Sequence, residues 1–280
     1  MKLTKELIEK INEELDGFYV KEGRVKKNNI EKQALTIIPK EGDSSICPTV
    51  YADDGDSYEE LLDMIKAAAK VKTPDYDVEE IISRDYILSH LRACMISKDN
   101  VILEDEEVVY RPFLDMAIVY RVIMYHPANN QIGSILLRKD ILEEAGIEES
   151  ELYEIAKSNR DYKMKTLFQT IEDMTGINYE EELCGQDGPD MYVVTSNDKI
   201  QGSSVLITDL IQELGKSISK ECYVIPCSIH EIILIPYDER IKVENLKQLV
   251  MQVNSTEVSI EEKLTDSVYF LDKSGVSKIA

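Results

Sequence analysis

Residues 221–236, ECYVIPCSIHEIILIP, place two apolar runs on either side of a short Pro-Cys-Ser segment. Each run is short and rich in β-branched side chains, which is typical of strands. Because only a turn separates the runs, the two strands must be antiparallel. We therefore predict a β-hairpin with strands over 221–226 and 230–236.

Paired strands followed by helices recur along the chain. Strands are predicted at 18–26 and 33–38, at 113–125 and 131–137, and at 86–97, where the apolar spacing also fits a helix. Apolar periodicity and capping signals predict helices over 3–15, 58–71, 138–145, 149–158, 163–174, 204–218 and 243–252. This order predicts an α+β fold with mainly antiparallel sheet, built from strand hairpins and helices.

The length of the chain allows one large domain or two of ordinary size, since it has 280 residues. The turn-rich segment 184–190, CGQDGPD, is the best candidate for an internal boundary. A boundary there would separate an N-terminal lobe, 1–183, from a C-terminal lobe, 191–280.

Composition points to a cytoplasmic protein without membrane association. Apolar runs such as 232–235 are far shorter than the roughly 20 residues that span a bilayer. The start, MKLTKELIEKINEEL, is amphipathic and lacks the continuous apolar segment of a signal peptide. The five cysteines are an odd number without a regular framework, which fits reduced thiols.

The chain is strongly acidic, with a formal net charge of −22. Acidic residues are concentrated in 41–63 and 140–187, whereas the one local basic stretch is 21–27. Binding to phosphate backbones needs clustered Lys and Arg, so we expect no direct nucleic-acid binding. The acidity favours solubility, or alternatively a surface that mimics nucleic acid and inhibits a basic enzyme.

The hairpin turn contains side chains that could form a catalytic set. In a hydrolase, His230 would accept the proton of Ser228, and a carboxylate such as Asp115 or Glu257 would orient the imidazole. Glu231 cannot play that part, because adjacent strand residues point to opposite faces. No Gly-rich oxyanion loop accompanies the pair, so a structural turn is the favoured interpretation. For Asp115 we favour an ion pair with Arg111 or Arg121 over a role as a catalytic acid.

The same hairpin has a spacing that could bind zinc. Cys222, Cys227 and His230 follow a C-x4-C-x2-H pattern, and zinc accepts thiolates and imidazoles. A fourth ligand is missing nearby, and strand alternation places Cys222 on a face with Val224, where a thiol packs as a small hydrophobe. We therefore favour a chain without a metal or other cofactor.

Several motifs resemble an uncharacterised bacterial family, known as domain of unknown function 5688. They are Lys27-Asn28-Asn29, Pro48-Thr49-Val50-Tyr51, Phe113-Leu114-Asp115-Met116-Ala117, Leu152-Tyr153-Glu154-Ile155-Ala156, Ile225-Pro226-Cys227-Ser228-Ile229-His230-Glu231 and Asn254-Ser255-Thr256-Glu257-Val258. The resemblance implies one evolutionary unit over 1–280 and no particular activity. Where the family pattern has serine this chain has Cys227, which argues against a metal site that needs this thiol.

The favoured function is a non-enzymatic one. Without a spaced catalytic set, an acidic chain with 15 tyrosines and no tryptophan fits a protein that binds another protein or a small ligand. The surface that we expect to bind comprises the helices at 138–160 and the acidic face. The alternatives are a hydrolase that uses Ser228 and His230, and an acidic nucleic-acid mimic.

Overall fold

A computed structural model describes residues 3–42, 47–53, 55–71, 77–125, 132–177, 190–219, 221–226 and 228–280. Within it the chain forms two compact units, residues 1–77 and residues 78–280. The strand pairs in the described residues are antiparallel and are combined with helices in both units, which confirms the α+β class.

The first unit is a three-stranded sheet with two helices on one of its faces. Its strands, in spatial order, are β1 (Phe18–Lys27), β2 (Ile30–Pro39) and β3 (Thr49–Ala52). The helices are α1 (Lys5–Glu13) and α2 (Tyr58–Ala69). They pack on the sheet through one apolar cluster, whose fully buried members are Ile11, Leu35, Ile37, Leu61 and Ile65.

Local signals explain why these elements begin and end where they do. Asn29 adopts a φ of 63° in the turn between β1 and β2, a conformation that Asn tolerates better than most residues. The Ser57 hydroxyl accepts a hydrogen bond from the Glu60 backbone N–H, and the Glu60 carboxylate accepts one from Ser57 in return. This capping box starts α2 where the sequence predicts it.

The second unit contains a four-stranded sheet centred on one long strand, β6 (Met116–Tyr125). On one side β6 pairs with β4 (Leu91–Ser97). On the other side it pairs with β5 (Tyr110–Phe113) and then with β7 (Ile132–Leu136). The strand predicted at 113–125 is therefore interrupted, because a tight turn follows β5.

A six-stranded sheet completes the second unit, in the order β13-β12-β10-β11-β9-β8. Its strands are β8 (Tyr162–Thr166), β9 (Tyr192–Ser196), β10 (Cys222–Ile225), β11 (Glu231–Pro236), β12 (Tyr269–Asp272) and β13 (Gly275–Lys278). The hairpin predicted at 221–236 forms β10 and β11, with Val224 opposite Leu234. Residues 184–189 lie outside the described residues, but β8 and β9 pair directly, so the strands on both sides of them belong to one sheet.

Short helices connect the strands of the second unit. They are α3 (Val78–Ile81), α4 (Arg84–Ser89), α5 (Lys139–Ala145), α6 (Glu149–Lys157), α7 (Leu167–Thr175), α8 (Leu210–Ile218) and α9 (Val243–Thr256), with 3-10 helices at Val101–Glu104 and Gly202–Ile207. Two segments that were each predicted as a single element therefore contain a boundary between a helix and a strand. The segment 86–97 holds the end of α4 and all of β4, and the helix predicted at 163–174 begins as β8.

One apolar cluster lies between the two sheets of the second unit. It takes Ile118 and Tyr120 from the four-stranded sheet, and Val224, Leu234 and Tyr269 from the six-stranded sheet. The opposite face of the six-stranded sheet is covered by side chains of α9. None of the helices in the described ranges is long and apolar enough to cross a membrane.

Gly202 lies where the backbone of its 3-10 helix meets two strands, and its N–H donates to the His230 carbonyl at 3.0 Å. An added Cβ would lie 2.1 Å from that oxygen and 2.6 Å from the Thr195 Cα. We expect Gly202→Ala to lower the free energy of unfolding by about 1–3 kcal/mol, because backbone atoms must move. Urea unfolding measures this. The control is Gly23→Ala in β1, where the added methyl meets nothing within 4 Å; equal effects of the two substitutions would contradict the prediction.

Candidate functional site

The structure does not bring Ser228 and His230 together as a nucleophile and a base. Ser228 is buried, and its Oγ accepts a hydrogen bond from the His230 backbone N–H at 3.2 Å. The His230 Nδ1 donates to the carbonyl oxygen of Ile200 at 2.8 Å, so this nitrogen carries a proton. Its Nε2 lies 3.5 Å from Glu262 Oε1. The imidazole is therefore held by other groups, and the hydroxyl caps the local backbone.

Of the three possible zinc ligands, the structure describes Cys222 and His230. Cys222 lies in β10 and is fully buried in the cluster between the sheets, and burial raises the pKa of its thiol. Cys227 lies outside the described residues. Among those that are described, no group of three or more His, Cys, Asp or Glu side chains could hold a metal ion.

Asp115 lies in the tight turn between β5 and β6, next to Leu114, whose φ is 56°. Its carboxylate accepts hydrogen bonds from Lys278 Nζ at 2.8 Å, from Ser267 Oγ at 2.8 Å and from the Tyr269 hydroxyl. All three donors belong to the C-terminal part of the six-stranded sheet or to the segment just before it. Asp115 thus ties the turn of one sheet to the edge of the other.

The cation that pairs with Asp115 differs from the two that the sequence favoured. Arg111 instead binds Glu149, and the Arg121 guanidinium donates to the Ser134 hydroxyl at 3.1 Å. Lys278 takes their place. The sequence predicted Asp115 within a strand, whereas it lies in the turn before β6 and there meets side chains at residues 267–278.

The electrostatics of Asp115 fit a permanent acceptor. Burial alone raises the pKa of this carboxyl, but the bonds from Lys278, Tyr269 and Ser267 outweigh burial and lower the pKa to about 2. Burial and the neighbouring carboxylate raise the pKa of Tyr269. At neutral pH Asp115 is therefore ionised and has no proton to donate.

A second tyrosine and carboxylate pair lies on the four-stranded sheet. The Tyr120 hydroxyl, buried in the core, donates to Glu149 at the start of α6. Arg111 binds the same carboxylate through Nε at 2.9 Å and Nη2 at 2.6 Å, and its guanidinium lies 4.0 Å from the centre of the Tyr153 ring. Burial raises the pKa of Glu149, but the bonds from Arg111 and Tyr120 outweigh it and lower the pKa.

Glu149 forms one wall of a cavity of about 610 Å³. The cavity lies between α5, the start of α6 and the segment that leads into β5. Its lining residues are Glu106, Val108, Val109, Tyr110, Lys139, Leu142, Glu143, Gly146, Ile147, Glu148 and Glu149. Val108, Val109, Leu142 and Ile147 are buried, whereas Tyr110 is 46% exposed and Glu106, Glu143 and Glu148 are exposed. The cavity thus has an apolar floor and an acidic rim.

The arginines near this cavity are bound to other acids. Arg84 donates to the Gly146 carbonyl at 2.6 Å and pairs with Glu151, and Arg138 pairs with Asp105. Within the described part of the chain, no ion pair joins Glu106, Glu143 or Glu148 to a basic side chain. Lys139 is the one cation in the lining, so the negative charge of the rim is not balanced. Such a rim favours a cationic ligand.

Comparison with protein families identifies one relationship. A family described as "Family of unknown function (DUF5688)" matches residues 1–273. The chain belongs to this family. The DUF5688 match covers residues of both compact units. No curated protein and no solved structure matches the chain.

The acidic rim of this DUF5688 protein was not predicted residue by residue. The sequence indicated the helices at 138–160 and the acidic segment around them, and the rim glutamates Glu143 and Glu148 belong to that region. Glu106 comes from a separate loop before β5. The fold brings this loop beside α5, where the Lys139 N–H donates to the Glu107 carbonyl at 2.9 Å. Nothing in the spacing of the sequence indicates that contact.

We expect Asp115→Asn to destabilise the protein by about 1–2 kcal/mol at pH 7, because it removes the charge that pairs with Lys278. The pKa of Asp115 in the folded state, about 2, lies below its ordinary value of 3.8. The stabilisation is therefore present above about pH 4 and is lost as the pH falls towards 2. Urea unfolding of both proteins between pH 7 and pH 2.5 should show the difference shrinking.

The matched control for this series is Asp99→Asn, at an exposed position. It should change the free energy of unfolding by less than about 0.5 kcal/mol at any of these pH values. A constant difference between wild type and Asp115→Asn from pH 7 to pH 2.5 would contradict the assigned role of the ionised carboxylate.

Proposed function

We propose that this DUF5688 protein is a binding protein without catalysis, and that its cavity at α5 and α6 receives an alkyl cation. The preferred ligand is the Lys or Arg side chain of a partner protein. Such a side chain combines an apolar stem with a cationic head. The observation that carries the proposal is the combination of a buried apolar floor with an acidic rim that no nearby arginine neutralises.

The floor supports binding of the stem. Val108, Val109, Leu142 and Ile147 line the cavity and are each less than a tenth exposed. The cavity volume of about 610 Å³ lies within the usual range of ligand sites. A side chain that lies on this floor removes apolar surface from water, which contributes to affinity independently of charge.

The rim supports binding of the head. Glu106, Glu143 and Glu148 bring three carboxylates to the opening, while Glu149 is held by Arg111. A cation at the rim would gain attraction that is partly screened by salt. Because Arg111 and Tyr120 fix Glu149, one wall of the cavity is rigid before any ligand binds, which lowers the entropic cost of binding.

The other two hypotheses have less support from the contacts. A hydrolase needs a base in reach of a nucleophile, and the His230 ring is bonded to Ile200 instead of Ser228. A nucleic-acid mimic would also attract a basic partner, but through charge alone. The cavity proposal also requires the apolar stem. Ligands of equal charge and unequal stem length therefore distinguish the cavity proposal from the nucleic-acid mimic.

The first experiment measures binding of fluorescein-labelled peptides to the full chain by anisotropy at low salt. We expect hexalysine to bind more tightly than a hexamer of 2,4-diaminobutyric acid, which has the same charge on a shorter stem. We expect the triple variant Glu106→Gln, Glu143→Gln and Glu148→Gln to weaken hexalysine binding about tenfold, which corresponds to about 1.4 kcal/mol. Competition by spermidine tests whether a free polyamine binds more tightly than the lysine side chains of the peptide.

The matched control carries the same charge change on α1, as Glu6→Gln, Glu9→Gln and Glu13→Gln, all at exposed positions. It should change the affinity less than twofold. Equal losses in both triple variants would mean that the peptide responds to net charge and would overturn the cavity proposal. Equal binding of the two hexamers would support the mimic instead.

A further inference from the structure

The sheet of the first unit has one face that its own helices do not cover. The helices pack on the face that carries Val20, Leu35, Ile37 and Val50. In the observed register, odd-numbered residues of β1 lie beside even-numbered residues of β2, and both point to the opposite face. Residues 49 and 51 of β3 continue that face. We call these twelve positions the lysine face.

The lysine face carries a charge opposite to that of the whole chain. It contains Lys21, Lys27 and Lys32 and no Asp or Glu, although the chain has 54 acidic residues and a net charge of −22. Asp53, which follows β3, lies 4.0 Å from Lys32 Nζ. Lys21 is exposed, and the other two lysines are half-buried. Strand alternation places Glu22 and Glu31 on the other face, together with Arg24 and Lys26, and leaves this face without carboxylates of β1–β3.

Two tyrosines lie among these lysines. Lys27 Nζ lies 4.7 Å from the centre of the Tyr51 ring, and Lys32 Nζ lies 5.9 Å from it. Tyr19, at the other end of the face, is 39% exposed. The face therefore offers two aromatic side chains and three ammonium groups on one sheet surface.

We propose that the lysine face binds single-stranded nucleic acid. Lys21 and Lys27 are six residues apart in β1, which separates them by about 20 Å, with Lys32 opposite the stretch between them. A row of that length fits an extended polyanion better than a single small anion. Aromatic side chains beside a basic track are the combination that binds bases and phosphates of single strands.

The tyrosines favour nucleic acid over an acidic peptide. Carboxylates of a peptide would satisfy the lysines but would leave the Tyr19 ring without a planar group to stack on. Composition alone led to the expectation of no direct nucleic-acid binding, because a hairpin turn separates Lys32 from the basic stretch 21–27 and only the sheet brings the three lysines onto one face. This proposal does not depend on the cavity at α5 and α6, which lies in the other unit.

The experiment titrates fluorescein-labelled single-stranded dT12 with the full chain at about 20 mM salt. We expect binding that weakens with salt, with a slope of about −2 in log affinity against log salt for three phosphate contacts. The variant Lys21→Gln, Lys27→Gln and Lys32→Gln should lose about tenfold or more in affinity. Circular dichroism checks that the variant keeps its fold.

Two further variants test whether binding depends on the position of the lysines and on the Tyr19 ring. Lys98→Gln, Lys216→Gln and Lys273→Gln remove the same charge from exposed positions of the second unit and should change the affinity less than twofold. Tyr19→Ala should weaken dT12 binding about fivefold or more, and should not weaken binding of a labelled dodecaglutamate. Absence of dT12 binding at 100 µM protein, or binding of dodecaglutamate that equals that of dT12, would overturn the proposal.

Discussion

Two tyrosine hydroxyls buried in the core of residues 78–280 determine which charged side chains lie at the edge of that core. Tyr120 and Tyr269 are the largest fully buried side chains in the described residues. A hydroxyl that leaves water must find a hydrogen-bond partner, because an unpaired one is costly. Each of the two hydroxyls donates to a carboxylate, Glu149 or Asp115, and each carboxylate also binds one cation. The two sheets can therefore share an apolar core without leaving polar atoms of these tyrosines unsatisfied.

The same pairing separates structural carboxylates from those that are free to meet a ligand. Asp115 and Glu149 keep their charge at neutral pH because their donors lower their pKa values. The arginines near α6 are used in comparable pairs. The negative charge that remains at the cavity comes from residues outside these pairs. Because the nearby arginines are paired with other acids, the rim of the cavity keeps an excess of negative charge.

Local signals in the sequence predicted many elements of the fold. The hairpin at 221–236, the capping box of α2 and the α+β class are confirmed, since each rests on neighbouring residues. The break between α4 and β4 was missed because no Gly or Pro marks it. The turn at Leu114 was missed for the same reason, since a residue other than Gly adopts its positive φ. Asp115 was therefore expected within a strand, and its donors, which lie far away in sequence, could not be predicted from strand alternation.

The bond between Tyr269 and Asp115 joins residues that are 154 positions apart. Contacts at such separation close large loops, and chains that depend on them fold slowly. The first unit differs, because β1 and β2 pair across a two-residue turn and its core comes from a short stretch. During translation this unit can form its core while the rest is still being made. The side chains of the four-stranded sheet that pack on Val224, Leu234 and Tyr269 lack these partners until those strands are synthesised. Until then this part of the apolar face is open to chaperones and to aggregation.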